Sequence, residues 1–339
     1  MVMSETILVI GPAWIGDMVM AQSLFKLIKQ RRPQAQIEVV APAWAESLLA
    51  RMPEVAQAFS LPVGHRQLGL GSRWELGRQL RDRKYEQAII LPNSFKSALI
   101  PVFAAARRRT GLLGEYRWGL LNDIRRLDKQ KLPRRVDSYI VLALEAGEPM
   151  PAVVPYPSLT VSPSDAKATL EKFSVEHPSG PVLGICPGAE YGPTKQWPAS
   201  YYAEVANNKL KQDWQVWLFG SGKDVPITEE IQALTDGRCL NLGGRTSLDE
   251  CIDLMSLLTT VVTNDSGLMH VAASLDRDLV AIYGCTSPED NPPLHPRATV
   301  LYLGLDCSPC YQRECPLGHL KCLRDLKPAY VLQHLNRQP

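Results

Sequence analysis

The sequence predicts an α/β protein of two successive, similar domains, and three observations carry that reading. The chain has 339 residues, about twice the common domain size of roughly 100–200 residues. Short β-branched runs alternate with amphipathic stretches in each half, the pattern of βαβ units on a parallel sheet. Between the halves lies GEPMPAVVPYPSLTVSP (147–163), a proline-rich stretch that suits neither a helix interior nor a central strand.

The elements follow in order. ETILVIG (5–11) reads as the first strand and leads into the helical pattern MAQSLFKLIKQRR (20–32). QIEVVAP (36–42) is a second strand followed by AWAESLLARM (43–52), and QAIILPN (87–93) is a further strand. After the linker the alternation restarts with PVLGICPG (181–188), WQVWLFGSG (214–222), TVVTNDSG (260–267) and DLVAIYGCT (278–286), with SYYAEVANNKL (200–210) as a helix between them. The expected organisation is an N-terminal Rossmann-like domain over 1–160, a C-terminal one over 161–325 and a tail over 326–339 holding a last helix near 328–336. Two such domains are expected to leave a cleft, with ligands at the carboxyl ends of the strands.

Composition sets bounds on function. Hydrophobic residues make up 45% and charged residues 21%, which excludes a disordered chain, a collagen and a coiled coil. No apolar run reaches the roughly 18 residues of a membrane span. The N-terminus, MVMSETILVIGPAW, lacks the features of a secretory signal, so a cytoplasmic protein is expected. Although the net charge is only +2, residues 107–135 carry ten basic residues against three acidic ones, Glu115, Asp123 and Asp128. Such a segment reads as a patch that meets an anion or as a run of solvated arginines.

Four strand-end loops carry candidate chemistry. Gly11-Pro-Ala-Trp-Ile-Gly16-Asp17 leaves the first strand and enters a helix, but Asp17 stands where a P-loop needs lysine. Asp17 is placed either to cap the helix or to act as a general base. In Thr263-Asn-Asp265-Ser266-Gly267-Leu-Met-His270 a helix starts at a strand end, a site suited to a phosphate or diphosphate, with a core-facing His270 as the plainer reading. Cys186-Pro-Gly188-Ala-Glu-Tyr-Gly192-Pro-Thr194-Lys195-Gln-Trp197-Pro198 is a shaped loop whose Lys195 is either a surface cation or a partner for a diphosphate leaving group. Gly220-Ser-Gly222-Lys-Asp224 offers Ser221 or Asp224 to a sugar hydroxyl, the weakest of the four signals.

These motifs, together with LPNSFKSAL and RTGLLGEYRWGLLND, closely resemble the ADP-heptose:lipopolysaccharide heptosyltransferases of glycosyltransferase family 9, the type II branch most closely. The resemblance spans roughly residues 5–335. It implies a GT-B fold, with two parallel sheets facing across a cleft, and a metal-independent inverting transfer that uses no cofactor. The implied donor is ADP-L-glycero-β-D-manno-heptose. The implied acceptor is heptosyl-Kdo2-lipid A, an anionic lipid A–Kdo molecule, met at the cytoplasmic face of the inner membrane by a peripheral enzyme without a transmembrane segment. Asp17 matches the family's general base, Lys195 its donor-phosphate lysine, and Asp265, Ser266, Gly267 and His270 its donor-binding helix start. Asp224 and Thr246 match further donor contacts, and Lys96, Arg109 and Arg117 are expected on the acceptor side. Where some relatives carry a small hydroxyl residue before Gly-Asp, this chain has Trp14. The implied last helix returns to the first domain. Alternatives are a type I or III enzyme, another GT-B nucleotide-sugar transferase such as a uridine-donor enzyme, and a nucleic-acid-binding protein, which the absence of a stacking platform or reader motif disfavours.

Of eight cysteines, Cys186, Cys239, Cys251 and Cys285 sit in apolar surroundings and read as buried thiols. Cys307, Cys310, Cys315 and Cys322 crowd with His319 into sixteen residues, with no standard zinc spacing. Reduced thiols in a structured loop and no metal are expected, with structural zinc on these four cysteines as the alternative.

Overall fold

The computed structural model describes residues 5–63 and 67–335, and the chain divides into two compact units, Met1–Pro157 and Ser158–Pro339. In the first unit a six-stranded sheet is built from β1 (Thr6–Ile10), β2 (Gln36–Ala41), β3 (Val55–Ser60), β4 (Gln87–Ile90), β5 (Arg108–Leu112) and β6 (Asp123–Arg125). Its order is β3-β2-β1-β4-β5-β6 and every pairing is parallel. The second sheet comprises β7 (Val182–Cys186), β8 (Gln215–Leu218), β9 (Leu240–Asn241), β10 (Thr260–Asn264), β11 (Asp278–Tyr283) and β12 (Ala298–Tyr302), in the order β12-β11-β10-β7-β8-β9 and again parallel. Counted from its own first strand, the second sheet repeats the order of the first. In each, the strand order reverses beside the first strand, between β1 and β4 and between β7 and β10, and such a switch point is where open α/β sheets hold ligands.

Strand composition follows position in the sheet. The central strands β1 (TILVI), β7 (VLGIC) and β10 (TVVTN) are covered on both faces and read as continuous apolar or β-branched runs. The outer strands β3 (VAQAFS), β6 (DIR), β9 (LN) and β12 (ATVLY) are short or mixed, so periodicity alone does not mark them. β5 (RRTGL) lies inside the basic segment, which is therefore not a single loop.

Two helices of the second unit start on side-chain caps. Ser162 accepts from Ser164 N at the start of Pro163–Lys172, with Pro163 at the first helical position. Ser247 and Glu250 form a reciprocal capping box on Leu248–Met255. The proline-rich stretch has neither helix nor strand from Leu144 to Ser162, and Leu159 N docks on Ser274 O at 2.9 Å, joining the second unit.

The last described helix, Pro328–Leu335, packs on helix Ala199–Leu210 and β11. Val331 and Leu335 are buried in the core of the second unit with Trp197, whose Nε1 donates to Leu326 O at 2.8 Å. Through Leu335 this helix packs within the second unit; residues 336–339 lie outside the described residues. No helix among the described residues is long and apolar enough to cross a membrane.

Candidate functional site

At the switch point of the first unit the chain leaves β1 through Gly11 and enters helix Ile15–Arg31 with Asp17 in its first turn. Trp14 stands at the N-cap in extended conformation and makes no side-chain cap. The Asp17 carboxylate does not cap either: its hydrogen bonds run to side chains of helix Arg135–Ala143. Tyr139 OH donates to Oδ1 at 2.8 Å and Arg135 Nε to the same oxygen at 3.0 Å. Arg135 and Tyr139 are four residues apart and so share one helix face. Burial, and then the charge of Asp17, push the Tyr139 hydroxyl well above its ordinary pKa, so it remains a donor. Asp17 keeps 18% of its side chain exposed. Arg135 and Tyr139 escaped the sequence reading; their i, i+4 spacing is visible, but nothing in the sequence says that the shared face meets Asp17.

Lys96 follows β4, in the turn Phe95–Ala98, and its Nζ donates to Gln67 O at 3.1 Å. Arg109 directs Nε to Leu120 O at 2.7 Å and a terminal nitrogen to Ala106 O at 2.9 Å. Arg117 is 0% exposed. Its terminal nitrogens donate to Pro92 O at 2.8 Å, to Asn93 Oδ1 at 3.3 Å and to Leu112 O. Burial pulls its pKa down. The enclosed guanidinium ties the loop after β4 to the end of β5.

The basic segment as a whole is largely committed to intramolecular partners. Arg108 bonds Asp123 and Glu145, Arg125 bonds Asp123 at 2.9 Å, and Arg134 bonds Asp137 at 2.7 Å. Arg107, Arg126, Lys129 and Lys131 are the exposed members, and two of these have acidic partners, Glu86 and Asp128.

In the second unit the loop after β7 and the helix start after β10 meet. Lys195 Nζ lies 2.6 Å from Asp265 Oδ2, with side-chain exposures of 14% and 6%. Thr286, just past β11, donates to the same oxygen at 2.7 Å. Ser266 is the N-cap of helix Gly267–Ser274 and makes no side-chain cap, and His270, one turn on, is buried. The two loops are joined by Asn264, which is 0% exposed. Its Oδ1 accepts from Trp197 N at 3.1 Å and Tyr202 OH at 2.8 Å, and its Nδ2 donates to Pro187 O at 2.6 Å.

The turn that carries Lys195 is held from behind. Thr194 Oγ1 donates to Gln312 O at 2.6 Å and to Arg313 O at 3.1 Å. Gly192 has φ +151°, and a Cβ there would lie 2.8 Å from Arg313 O, so only glycine fits. Asp224 follows β8 and closes a capping box with Ser221, its Oδ2 accepting from Ser221 N and Oγ at 2.8 Å each. Its carboxylate sits directly over Gly188. Thr246 follows β9 and bonds the buried Cys251, whose thiol burial pushes up to about 12. Lys195, Asp224, Thr246, Asp265 and Thr286 thus all belong to loops at the carboxyl edge of one parallel sheet. Thr286 and Asn264 were missed in sequence, although each ends or follows a strand as the chosen residues do.

Cys186, Cys239, Cys251 and Cys285 are buried thiols. Cys285, Cys307, Cys310, Cys315 and Cys322 line, with Thr194 and His319, a cavity of about 20 Å³. Backbone N–H groups of Leu320, Leu317, His319 and Gly318 bond the Cys315 sulfur and lower its pKa, whereas burial, then the neighbouring thiols, push Cys322 up to about 11. Among the described residues no three His, Cys, Asp or Glu side chains are placed to hold a metal ion.

Residues 73–321 match the sequence profile of Glycosyltransferase family 9 (heptosyltransferase). The chain is 46% identical to lipopolysaccharide heptosyltransferase 2 of Escherichia coli K12 over 97% of each protein. It is 45% identical to lipooligosaccharide heptosyltransferase 2 of Haemophilus influenzae, over 97% of this chain and 98% of that one. The solved structure of E. coli ADP-heptose lps heptosyltransferase II matches with a TM-score of 0.87 and 44% identity, covering 98% of this chain and 97% of that one. The paired parallel sheets are those of a GT-B-like fold.

Proposed function

Because the chain belongs to glycosyltransferase family 9, the heptosyltransferases, we propose a division of labour in which the first unit activates the acceptor and the second binds the donor. The chain is a glycosyltransferase of lipopolysaccharide inner-core assembly that transfers heptose. The donor we assign is ADP-L-glycero-β-D-manno-heptose and the acceptor heptosyl-Kdo2-lipid A. One observation carries the assignment of roles: the Asp17 carboxylate, at a strand switch point, is held by side chains and not by the helix start it stands on.

In the proposed single displacement Asp17 takes the proton of the acceptor hydroxyl as its oxygen bonds to the anomeric carbon. The bond from that carbon to the ADP oxygen breaks with inversion. Charge growing on the departing diphosphate is met by Lys195 and by the backbone N–H groups of Ser266 and Gly267. Asp224, Thr246, Asp265 and His270 are assigned to donor recognition, with Asp265 and His270 both buried. Lys96 is assigned to the acceptor, while Arg109 and Arg117 shape the loops around it. We assign the enzyme to the cytoplasmic face of the membrane as a peripheral protein. Supporting this, Leu68, Phe95, Tyr116 and Trp118 are exposed beside Lys96 in segments linked by the Lys96–Gln67 and Phe95–Glu115 hydrogen bonds. The many internal partners of the basic segment weigh against a nucleic-acid ligand.

The test is transfer from ADP-L-glycero-β-D-manno-heptose to Kdo2-lipid A and to heptosyl-Kdo2-lipid A, read by mass spectrometry with EDTA present. Gain of one heptose on the second acceptor alone is expected; gain on the first makes this a type I enzyme. Asp17→Asn is expected to lower turnover by ~10²–10⁴ with ADP affinity kept. Unchanged turnover removes Asp17 from the mechanism.

A further inference from the structure

Asp17 is gripped at one oxygen only. Tyr139 OH and Arg135 Nε both donate to Oδ1, so Oδ2 is the oxygen left to a substrate hydroxyl. The grip is rigid: Tyr139 is buried, Arg135 Nε also lies 3.2 Å from its oxygen, and the guanidinium lies over its ring at 5.2 Å from the centroid. Among the described residues the hydrogen bonds of Arg135 leave from Nε alone. Its two terminal amino groups are therefore uncommitted, and the side chain is 39% exposed.

This distinguishes it from its neighbours in the basic segment. Arg117 and Arg125 are enclosed, Arg108 has both terminal nitrogens on Glu145, and Arg134 has Nε and one terminal nitrogen on Asp137. A planar guanidinium fixed at Nε presents its other edge as a two-pronged donor matched to a carboxylate or phosphate. That edge stands next to the oxygen atoms that would take the acceptor's proton.

We propose that Arg135 couples acceptor recognition to base alignment: through Nε, together with Tyr139, it orients Asp17, and through its terminal amino groups it binds an anionic group of the same acceptor. The inference rests on the reading of Asp17 as the base. Tyr139 is then a positioning residue, and Arg135 is a positioning residue that also touches substrate. The coupling is geometric. An acceptor whose anion is seated on the guanidinium has its neighbouring hydroxyl brought to Oδ2, the kind of alignment that converts binding into rate.

Steady-state kinetics of wild type, Arg135→Gln, Arg135→Lys, Tyr139→Phe and Asp17→Asn separate the possibilities, with ADP affinity as the check that the second unit is intact. Tyr139→Phe is expected to lower kcat about tenfold with acceptor KM unchanged, since it loosens only the base. Arg135→Gln is expected to raise acceptor KM at least about tenfold and lower kcat as well, and Arg135→Lys to recover part of KM but little of kcat. Two modified acceptors identify the anion. If Arg135 binds a Kdo carboxylate, methyl esterification weakens the wild type but leaves Arg135→Gln unmoved; if it binds a phosphate, dephosphorylated lipid A gives that pattern instead.

The proposal is overturned if Arg135→Gln keeps wild-type acceptor KM, if it loses as much as wild type on each modified acceptor, or if Tyr139→Phe keeps wild-type kcat. Should Asp17→Asn collapse turnover while these variants stay unchanged, the base reading stands and this inference alone falls. Should Asp17→Asn keep turnover, both fall.

Discussion

Asn264→Ala should damage the second unit more than its size suggests. The substitution removes a side chain that is fully buried and joins β10 to the loop carrying Lys195. Three groups lose their partner: the Trp197 N–H, the Tyr202 hydroxyl and the Pro187 carbonyl. Each orphaned buried group costs roughly 1–3 kcal/mol, and with partial relaxation the total is about 4 kcal/mol. Tyr202→Phe is the control, because it removes one donor and leaves Oδ1 with the Trp197 N–H; its cost should be about 1 kcal/mol. Urea unfolding followed by tryptophan fluorescence measures both, since Trp197, Trp214 and Trp217 all belong to the second unit. ADP affinity should fall at least about tenfold in Asn264→Ala, as Lys195 and Asp265 lose their common anchor. A loss of stability no larger than that of Tyr202→Phe would refute the claim that Asn264 holds the two loops together.

Further outcomes follow from single contacts. A methyl group at Gly188 would lie 2.3 Å from the Asp224 Cγ. Gly188→Ala must therefore push the Asp224 carboxylate off its cap on Ser221, which is expected to raise donor KM with acceptor KM unchanged; equal changes in both would count against it. Among the thiols, Cys315 should be alkylated first by iodoacetamide at neutral pH, because backbone N–H groups favour its thiolate. Cys186 and Cys251, buried and shifted up, should react only on unfolding, and peptide mass spectrometry after short exposures reads the order.

The fold was legible where strands are central. β1, β2, β4, β7, β8, β10 and β11 stand out as apolar runs because a strand covered on both faces has no polar side to show. β3, β5, β6, β9 and β12 do not, since an outer strand is short or carries residues such as Arg108 and Asp123 that pair with side chains elsewhere. The site divides in the same way. Asp17, Lys195 and Asp265 could be proposed from sequence because each lies in a loop or helix start directly after a strand. Arg135, Tyr139, Asn264 and Thr286 act through contacts from other segments, and no local pattern encodes a contact of long sequence separation.

The basic segment shows why composition misleads at this scale. An excess of positive charge counts residues, whereas an anion site depends on which of those residues lack partners. Arg108, Arg125 and Arg134 each face a carboxylate, Arg109 faces carbonyl oxygens, and Arg117 is enclosed, so the segment mainly builds the loops after β4 and β5. What sets Arg135 apart is where its engaged nitrogen lies: Nε is on Asp17, while both terminal nitrogens are uncommitted on a partly exposed side chain.

Partial commitment also governs Lys195, with a consequence that can be measured. Its ammonium is bound to Asp265 Oδ2, which Thr286 shares, so the pair has little net charge. In the proposed donor site, diphosphate binding draws on the remaining ammonium protons and on the N–H groups at the start of helix Gly267–Ser274, working against the nearby Asp265 charge. Asp265→Asn removes that repulsion while keeping an oxygen for Thr286 and Lys195. ADP should consequently bind tighter by roughly 1 kcal/mol, about fivefold, even as transfer slows because Lys195 and the donor sugar are less firmly placed. Titration calorimetry with ADP, beside turnover, tests this. Weaker ADP binding in Asp265→Asn would mean that the aspartate acts chiefly by holding Lys195 in place, and that fixing the cation outweighs the repulsion it introduces.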